Sequence, residues 1–136
     1  MTGHSQLSLD VIKLIEDKNL AFVATLMKDG SPQITPTWID LVEGLIIINT
    51  AKGRVKQKNL SRDNRVAVSI VDHRNPYNMV TIRGKVIEQM EKGADEHIDK
   101  MAKKYLGVDK YPFRTEKEKR ILLKILPEKV FHMLPQ

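Results

Sequence analysis

The chain has 136 residues, the usual size of a single domain, and it carries a net charge of +6. It contains no cysteine, which excludes disulfides, Cys-ligated zinc and thiol catalysis. No apolar run approaches the length of a membrane span. We therefore expect one soluble domain over residues 1–136, located in the cytoplasm and without a membrane partner.

The first part of the chain predicts a short helix followed by a hairpin. Ser8 can cap the helix. Ala21–Leu26 and Ser31–Ile39 flank a Lys-Asp-Gly turn, which is typical of a β-hairpin. Because Pro32 and Pro36 lack an amide hydrogen, we expect the second arm to be an edge strand or to bend.

The middle of the chain predicts two further strands around a short helix. Leu45–Thr50 is almost entirely apolar and indicates a strand buried on both faces. Lys52–Arg62 predicts the helix, and residues 73–77 predict a loop. Met79–Glu88 alternates as a strand does, and Gly84 within it indicates a bulge or a close backbone contact.

The remaining segments complete a mainly β protein. Arg65–Val71 predicts a strand, and Ala94–Leu106 has helical spacing with His97 on its polar side. Ile121–Leu126 and Lys129–Met133 predict one or two more strands. Six or seven strands joined largely by tight turns, with two or three helices, favour an antiparallel barrel over a doubly wound parallel sheet.

The most basic segment is the first candidate for chemistry. Residues 52–65 contain six cationic side chains and one acidic side chain, Asp63. Gly53 permits a tight turn, after which the free N–H groups and dipole of a helix favour an anion. Arg54 can grip a phosphate bidentately, and Lys56 adds a point charge. The alternative is a solvated basic helix face, which is the usual fate of a charge run.

A second candidate pairs Thr35–Trp38 with Ile48–Thr50. Prolines in a strand leave backbone groups free, and threonine and asparagine offer directional hydrogen bonds to a planar heterocycle. The alternative is an edge strand protected by proline, with Trp38 as a core or dimer contact.

Other common sites have no sequence signature here. No histidine has a second histidine three or four residues away, so we expect no metal site. Neither a nucleophile elbow nor a Gly-rich nucleotide motif is present. Any redox chemistry would need a cofactor to supply the reactive atom, and the catalytic residues stay unknown.

Four motifs occur in a characteristic order, and they are Ala24–Leu26 with Asp29–Gln33, Gly53–Leu60 with Asp63–Val66, Asn75–Tyr77, and Val80–Val86. In this order they resemble the pyridoxamine 5′-phosphate oxidase-like split β-barrel superfamily, and more closely its branch of flavin- and deazaflavin-dependent oxidoreductases. The resemblance extends from Asn19 to Leu134.

The resemblance implies an antiparallel split β-barrel of six to seven strands. It also implies a homodimer with two cofactor sites at the subunit interface. Arg54 and Lys56 would hold the cofactor phosphate, with Lys58 or Asn59 close by. The ring would be lined by Thr35, Pro36, Thr37, Trp38, Ile48, Asn49 and Thr50, while Pro76, Tyr77 and Met79 would approach from the other subunit.

Two cofactors are alternatives within the superfamily. The Arg-x-Lys-x-x-Asn-Leu pattern and the Asn-Pro-Tyr segment resemble the branch that uses the deazaflavin F420, and FMN is the alternative. Lys28, Lys52 and Arg74 could meet the polyglutamate tail that F420 has and FMN lacks.

The implied activity is hydride transfer between the ring and a small electron-poor substrate such as an enone, a quinone or a tetrapyrrole. A non-catalytic flavin-binding protein of the same fold is the alternative. We expect no nucleic-acid partner, because aromatic residues make up only 5% of the chain and single-strand binding relies on them.

Overall fold

The computed structural model describes residues 7–133, which form three helices and seven strands. The elements in chain order are α1 (Leu9–Glu16), β1 (Ala21–Leu26), β2 (Pro32–Thr37), β3 (Asp40–Val42), β4 (Leu45–Ala51), α2 (Val55–Arg62), β5 (Arg65–Asp72), β6 (Asn75–Met90), α3 (Ala94–Leu106) and β7 (Arg120–Met133).

The strands form one antiparallel sheet in the order β2-β1-β5-β6-β7-β4-β3. The two ends of this order do not pair with each other, so the curved sheet stays open. This is the split β-barrel that the sequence predicted. β2 lies at one edge, as expected from Pro32 and Pro36, because an edge strand needs fewer amide donors.

The main core fills the inner face of the sheet. Alternate residues of β1, β5 and β6, among them Val23, Val68 and Ile82, are buried there together with Ile48 of β4. α1 covers this core with its apolar stripe, and Ser8 Oγ caps it by accepting from the Val11 N–H at 3.3 Å. α3 packs on the other face of β4 and β7, so β4 is buried on both faces, as predicted.

Three predicted boundaries were wrong. The loop over residues 73–77 is only a two-residue turn, because Asp72 pairs directly with Asn75 and accepts the Arg74 N–H at 2.9 Å. Asn75–Tyr77 therefore begins β6. The second helix begins at Val55 rather than Lys52, because Gly53 has a φ of +92° and cannot continue a helix.

The C-terminal strand segments are one continuous strand, β7, which pairs with β4 on one side and β6 on the other. At its bend Arg83 pairs with Lys129 and Gly84 with Pro127, which leaves Glu128 as an extra residue. The bulge predicted at Gly84 is confirmed, and it lets Pro127 sit within the strand.

The opposite face of β1, β2, β5, β6 and β7, here called the outward face, is exposed and partly apolar. Phe22, Ile34, Phe131 and Met133 are all exposed on it, and Ile34 is 61% exposed. A shallow cavity of about 540 Å³ lies on this face beside Gly84. An apolar sheet face of this kind is typical of a surface that associates with another chain.

Gly84 brings β6 and β7 unusually close, and we expect Gly84→Ala to destabilise the fold by roughly 2–3 kcal/mol. A Cβ atom there would collide with the carbonyl oxygen of Leu126. Gly107→Ala is the control, because Gly107 has a φ of +74° but a Cβ atom there would meet no other described part of the chain within 4 Å. It should lose only about 1 kcal/mol, from backbone strain alone. Urea unfolding measures both, and an equal loss would contradict the close contact.

Candidate functional site

A cavity of about 240 Å³ joins the two segments that the sequence singled out. It opens where β2 ends and where the chain passes from β4 into α2. Five of the predicted site residues line it, and they are Pro36, Thr37, Trp38, Asn49 and Arg54. Tyr111, Phe113 and Arg120 also line it, and none of the three is among the site residues predicted from the sequence.

Aromatic rings form one wall of this cavity. Trp38 stacks on Tyr105 with ring centres 5.2 Å apart and planes 5° from parallel. Tyr111 meets Trp38 edge-on at 6.0 Å and Phe113 at 5.6 Å. Such a wall offers both flat faces and ring edges, which suits a planar ligand.

The wall is held by hydrogen bonds to neighbouring elements. The Tyr105 hydroxyl donates to the Asn19 carbonyl at 2.7 Å and accepts the Ile39 N–H at 3.1 Å. Burial raises the pKa of Tyr105 to about 12, so the hydroxyl stays protonated at neutral pH. The loop that carries Tyr111 is tied to α3, because Asp99 accepts the Tyr111 N–H at 2.8 Å.

Arg54 and Arg120 line the cavity beside the aromatic wall, and Lys56 lies near enough for their charges to lower its pKa without itself lining the cavity. Arg54, Lys56 and Arg120 are called the cation cluster below. Arg54 Nη2 lies 2.9 Å from Glu118 Oε2, and Arg120 Nη1 lies 2.5 Å from Glu118 Oε1. Burial alone would raise the pKa of Glu118, but Arg120 and Arg54 outweigh it and lower that pKa. Glu118 is therefore a carboxylate shared by two arginines.

Lys56 is the member of the cluster without an acidic partner. Its side chain lies on the buried face of α2, and the residue is only 8% exposed. Burial lowers the pKa of the Lys56 ammonium, and the charges of Arg54 and Arg120 lower it further. Within residues 7–133 no carboxylate lies in ion-pairing distance of Lys56. A buried cation of this kind favours an anionic ligand.

Asn49 and Arg120 lock together two layers of the fold. Arg120 is buried and donates from Nε to Asn49 Oδ1 at 2.9 Å and from Nη2 to the Asn49 carbonyl at 3.3 Å. Asn49 Nδ2 donates to the Ala94 carbonyl at 2.8 Å. The guanidinium of Arg120 also lies over the Tyr111 ring, 5.3 Å from its centre. These contacts leave Asn49 little capacity to bond a ligand.

His97 extends this network instead of lying on a polar helix face, so that prediction was wrong. Its Nδ1 accepts from Asn49 Nδ2 at 3.1 Å, and its Nε2 donates to Asp40 Oδ2 at 2.9 Å. Burial opposes the charge of Asp40, but hydrogen bonds from His97 and the Leu41 N–H lower its pKa to about 2. The network therefore attaches α3 to β3 and β4.

Two buried hydroxyls at the predicted ring site have no hydrogen-bond partner within the described chain. They are Thr35 Oγ1 on β2 and Thr50 Oγ1 on β4. Such groups are costly unless something satisfies them. Ile48, which was also predicted to line the ring, is fully buried and packs its side chain in the main core.

The other predicted residues lie away from the cavity within one protomer. Lys58 is exposed on α2. Asn59 is buried and attaches α2 to β1, donating to Thr25 Oγ1 at 2.9 Å. The segment predicted to reach the other subunit comprises Pro76, Tyr77 and Met79, which lie at the start of β6.

Two of the three cations expected to meet a polyglutamate tail form ion pairs with acidic residues of this chain. Lys52 pairs with Glu91 at 3.0 Å, and Arg74 pairs with Asp17 at 2.9 Å. Asp17 also lies near Asp72 and His73, with potential metal-ligand atoms of all three within 4.8 Å of one another. Arg74 lies against both carboxylates and compensates their charge.

No helix in the described part of the chain is long and apolar enough to cross a membrane. Residues 10–134 match the sequence profile of the family described as pyridoxamine 5′-phosphate oxidase. The chain belongs to this family. The match spans the aromatic wall, the cation cluster and almost all of the described residues. No curated protein matches the sequence.

Solved structures share the family fold at low identity. An F420 reductase superposes with a TM-score of 0.79 and 24% identity, over 88% of this chain and 94% of that one. HupZ of Group A Streptococcus has a TM-score of 0.69 and 22% identity, over 93% and 94%. General Stress Protein 26 of Bacillus anthracis has a TM-score of 0.67 and 14% identity, over 93% of each chain.

Because Lys56 has no acidic partner within residues 7–133, removal of its charge should raise the free energy of unfolding. Lys56→Met keeps the length of the side chain and removes the buried charge, so it should stabilise the protein at pH 7 by about 1 kcal/mol. The gain should shrink as the pH rises toward 10.5, because the folded protein, with its lowered Lys56 pKa, sheds that proton first.

Lys58→Met is the matched control on the exposed face of the same helix, and it should change stability by less than about 0.5 kcal/mol. Denaturant unfolding at several pH values measures both variants. A loss of stability in Lys56→Met at pH 7 would show that the ammonium has a compensating partner.

Proposed function

We propose that the protein is an oxidoreductase that binds the deazaflavin F420 and transfers a hydride between this coenzyme and a small electron-poor organic substrate. The observation that carries the proposal is the cation cluster: Arg54 and Arg120 line the cavity together with the aromatic rings, and Lys56, 8% exposed on α2, has no carboxylate partner within residues 7–133. A ligand with both an anionic group and a planar ring would satisfy both features at once.

The residues present fit such a cofactor. Lys56 and Arg54 would hold its phosphate, the lysine as a point charge and the arginine through its planar fork. The unpartnered hydroxyls of Thr35 and Thr50 would meet polar atoms of the ring or its chain. Trp38 would provide a flat face, and its stacking on Tyr105 fixes the orientation of that face.

The cofactor would supply the hydride chemistry, so this chain needs no nucleophile of its own. The chain's own contribution would be to orient the two reactants and to exclude water from the cavity. The Tyr105 hydroxyl already bonds two backbone groups, which argues against its serving as a proton donor. We assign no residue as a catalytic acid or base.

F420 is favoured over FMN by the Arg-x-Lys-x-x-Asn-Leu pattern and by the likeness to an F420 reductase. An FMN-dependent enzyme, or a non-catalytic flavin-binding protein, is the second candidate. It is supported by the ion pairs of Lys52 and Arg74, which reduce the free charge on offer to a polyglutamate tail. The cation cluster would serve the phosphate of either cofactor.

We further propose that the protein acts in the cytoplasm as a homodimer. The cavity of about 240 Å³ falls below the range of small-molecule sites, which begins at about 300 Å³, so a second subunit would complete it. Tyr77, 72% exposed, lies beside the outward face with Met79, which pairs with Met133 on that face. Burial of this face would bring Pro76, Tyr77 and Met79 into the interface.

The cofactor proposal predicts a difference between two lysines on one helix. Lys56→Met should raise the dissociation constants of F420 and FMN by about 10- to 150-fold, the effect of roughly 1.5–3 kcal/mol from a hydrogen bond to a charged group. Lys58→Met should bind both within a factor of about two, because Lys58 is exposed. Fluorescence titration measures all four constants, and equal binding by both variants would remove Lys56 from the site.

The dimer proposal predicts that Ile34→Lys on the outward face yields monomers in sedimentation velocity experiments. A lysine there would place a charge in the buried interface. Leu106→Lys, at the exposed end of α3, is the control and should sediment as the wild-type protein does. A wild-type monomer at all concentrations would overturn the dimer, and an unaffected Ile34→Lys dimer would assign it to another surface.

A further inference from the structure

Glu118 is the one carboxylate within the described chain that contacts the cation cluster. Its two oxygens accept from Arg54 and from Arg120, so it occupies donors that a phosphate would use. The two arginines differ in freedom. Arg120 is buried and tied to Asn49 through Nε and Nη2. Arg54 is 49% exposed, and its one side-chain ion pair within residues 7–133 is the one with Glu118.

The backbone also leaves Arg54 free to reorient. It precedes the first turn of α2 in an extended conformation, with a φ of −69° and a ψ of 155°, and its side chain makes no capping bond. Glu118, in contrast, lies just before β7 and next to Lys119, whose carbonyl accepts the Lys52 N–H at 2.8 Å. An incoming anion can therefore bind Arg54 while Glu118 keeps its ion pair with Arg120.

We propose that Glu118 is a specificity-determining residue, whose carboxylate competes with the cofactor phosphate for Arg54 and disfavours the more highly charged phosphate. Binding exchanges the Arg54–Glu118 ion pair for an Arg54–phosphate pair, and Glu118 then remains near the bound anion. The inference rests on the proposed cofactor site and adds a charge selection to it.

The charge selection follows from simple electrostatics. The phosphomonoester of FMN carries close to two negative charges at neutral pH, whereas the phosphodiester of F420 carries one. Repulsion from a fixed carboxylate grows in proportion to the charge of the phosphate that lies beside it. Glu118 therefore weakens FMN binding more than F420 binding, and it leaves riboflavin, which has no phosphate, unaffected.

The test compares Glu118→Gln with Glu116→Gln. Glutamine keeps the shape of Glu118 and still accepts a hydrogen bond, but it removes the charge. Glu116 is exposed on the same loop and makes no ion pair with the described residues, so Glu116→Gln controls for the change in net charge. Both variants and the wild-type protein are titrated with FMN, F420 and riboflavin by fluorescence, after thermal unfolding has verified each fold.

In Glu118→Gln we expect the dissociation constant of FMN to fall by about tenfold and that of F420 by about threefold, with riboflavin unchanged. Glu116→Gln should match the wild-type protein throughout. Unchanged or weaker FMN binding by Glu118→Gln overturns the competition but leaves the cofactor proposal standing. A gain that includes riboflavin overturns it too, because the variant would then have widened the cavity.

Failure of the proposed function has a separate signature. If none of the three proteins binds FMN or F420, the cofactor site itself is wrong, and the inference falls with it. A second measurement needs no variant. Hydrogen exchange of residues 115–119, which do not line the cavity, should increase in the wild-type protein when FMN binds, because this part of the loop loses Arg54 as an anchor. Unchanged or slower hydrogen exchange of these residues would contradict the proposed switch of Arg54 from Glu118 to the phosphate.

Discussion

A mostly buried lysine that has no carboxylate partner within residues 7–133 is the constraint on which this site depends. Lys56 lies on the packed face of α2, and burial lowers its pKa, as do the charges of Arg54 and Arg120. An apolar side chain at this position would hold α2 against the sheet without the penalty of a desolvated charge. Under the proposed function an anion would offset that penalty, because electrostatic attraction is stronger where water is partly excluded. The same feature that weakens the fold would then favour the binding of a phosphate.

Hydrogen bonds fix most of the side chains around Lys56, whereas Arg54 can reorient. Asn49 bonds α3 through Ala94 and β7 through Arg120, so the buried arginine has one position. His97 and Asp40 continue this network to β3, the strand at one edge of the sheet. Arg54, at the exposed end of the cluster, has a single side-chain ion pair within residues 7–133, the one with Glu118. The combination gives a fixed and a movable arginine that share one carboxylate, with the partly desolvated Lys56 beside them.

Much of the fold followed from local patterns, whereas only part of the site did. The hairpin, the doubly buried β4 and the limits of α3 were all indicated by apolar periodicity and turn residues, which act over a few positions. Arg54 and Lys56 were also indicated by a local pattern, because both lie in one short basic segment. Arg120 and Glu118 were missed because they reach the cavity from a strand and a loop far along the chain. Their only local signal is a charged pair at the start of an apolar strand. His97 was misplaced because its partners, Asn49 and Asp40, lie in distant strands.

The central claim is that an anionic cofactor compensates Lys56, and the most direct test is the pKa of that ammonium. Lysine side chains labelled with ¹³C at Cε report this pKa by NMR, with Lys56→Met to assign the signal and Lys58 as an internal reference. In the protein alone the pKa of Lys56 should lie below its usual value of 10.5. Addition of F420 or FMN should raise it, while the Lys58 signal stays constant. A Lys56 pKa that starts at its ordinary value, or that does not rise when either cofactor binds, would contradict the account.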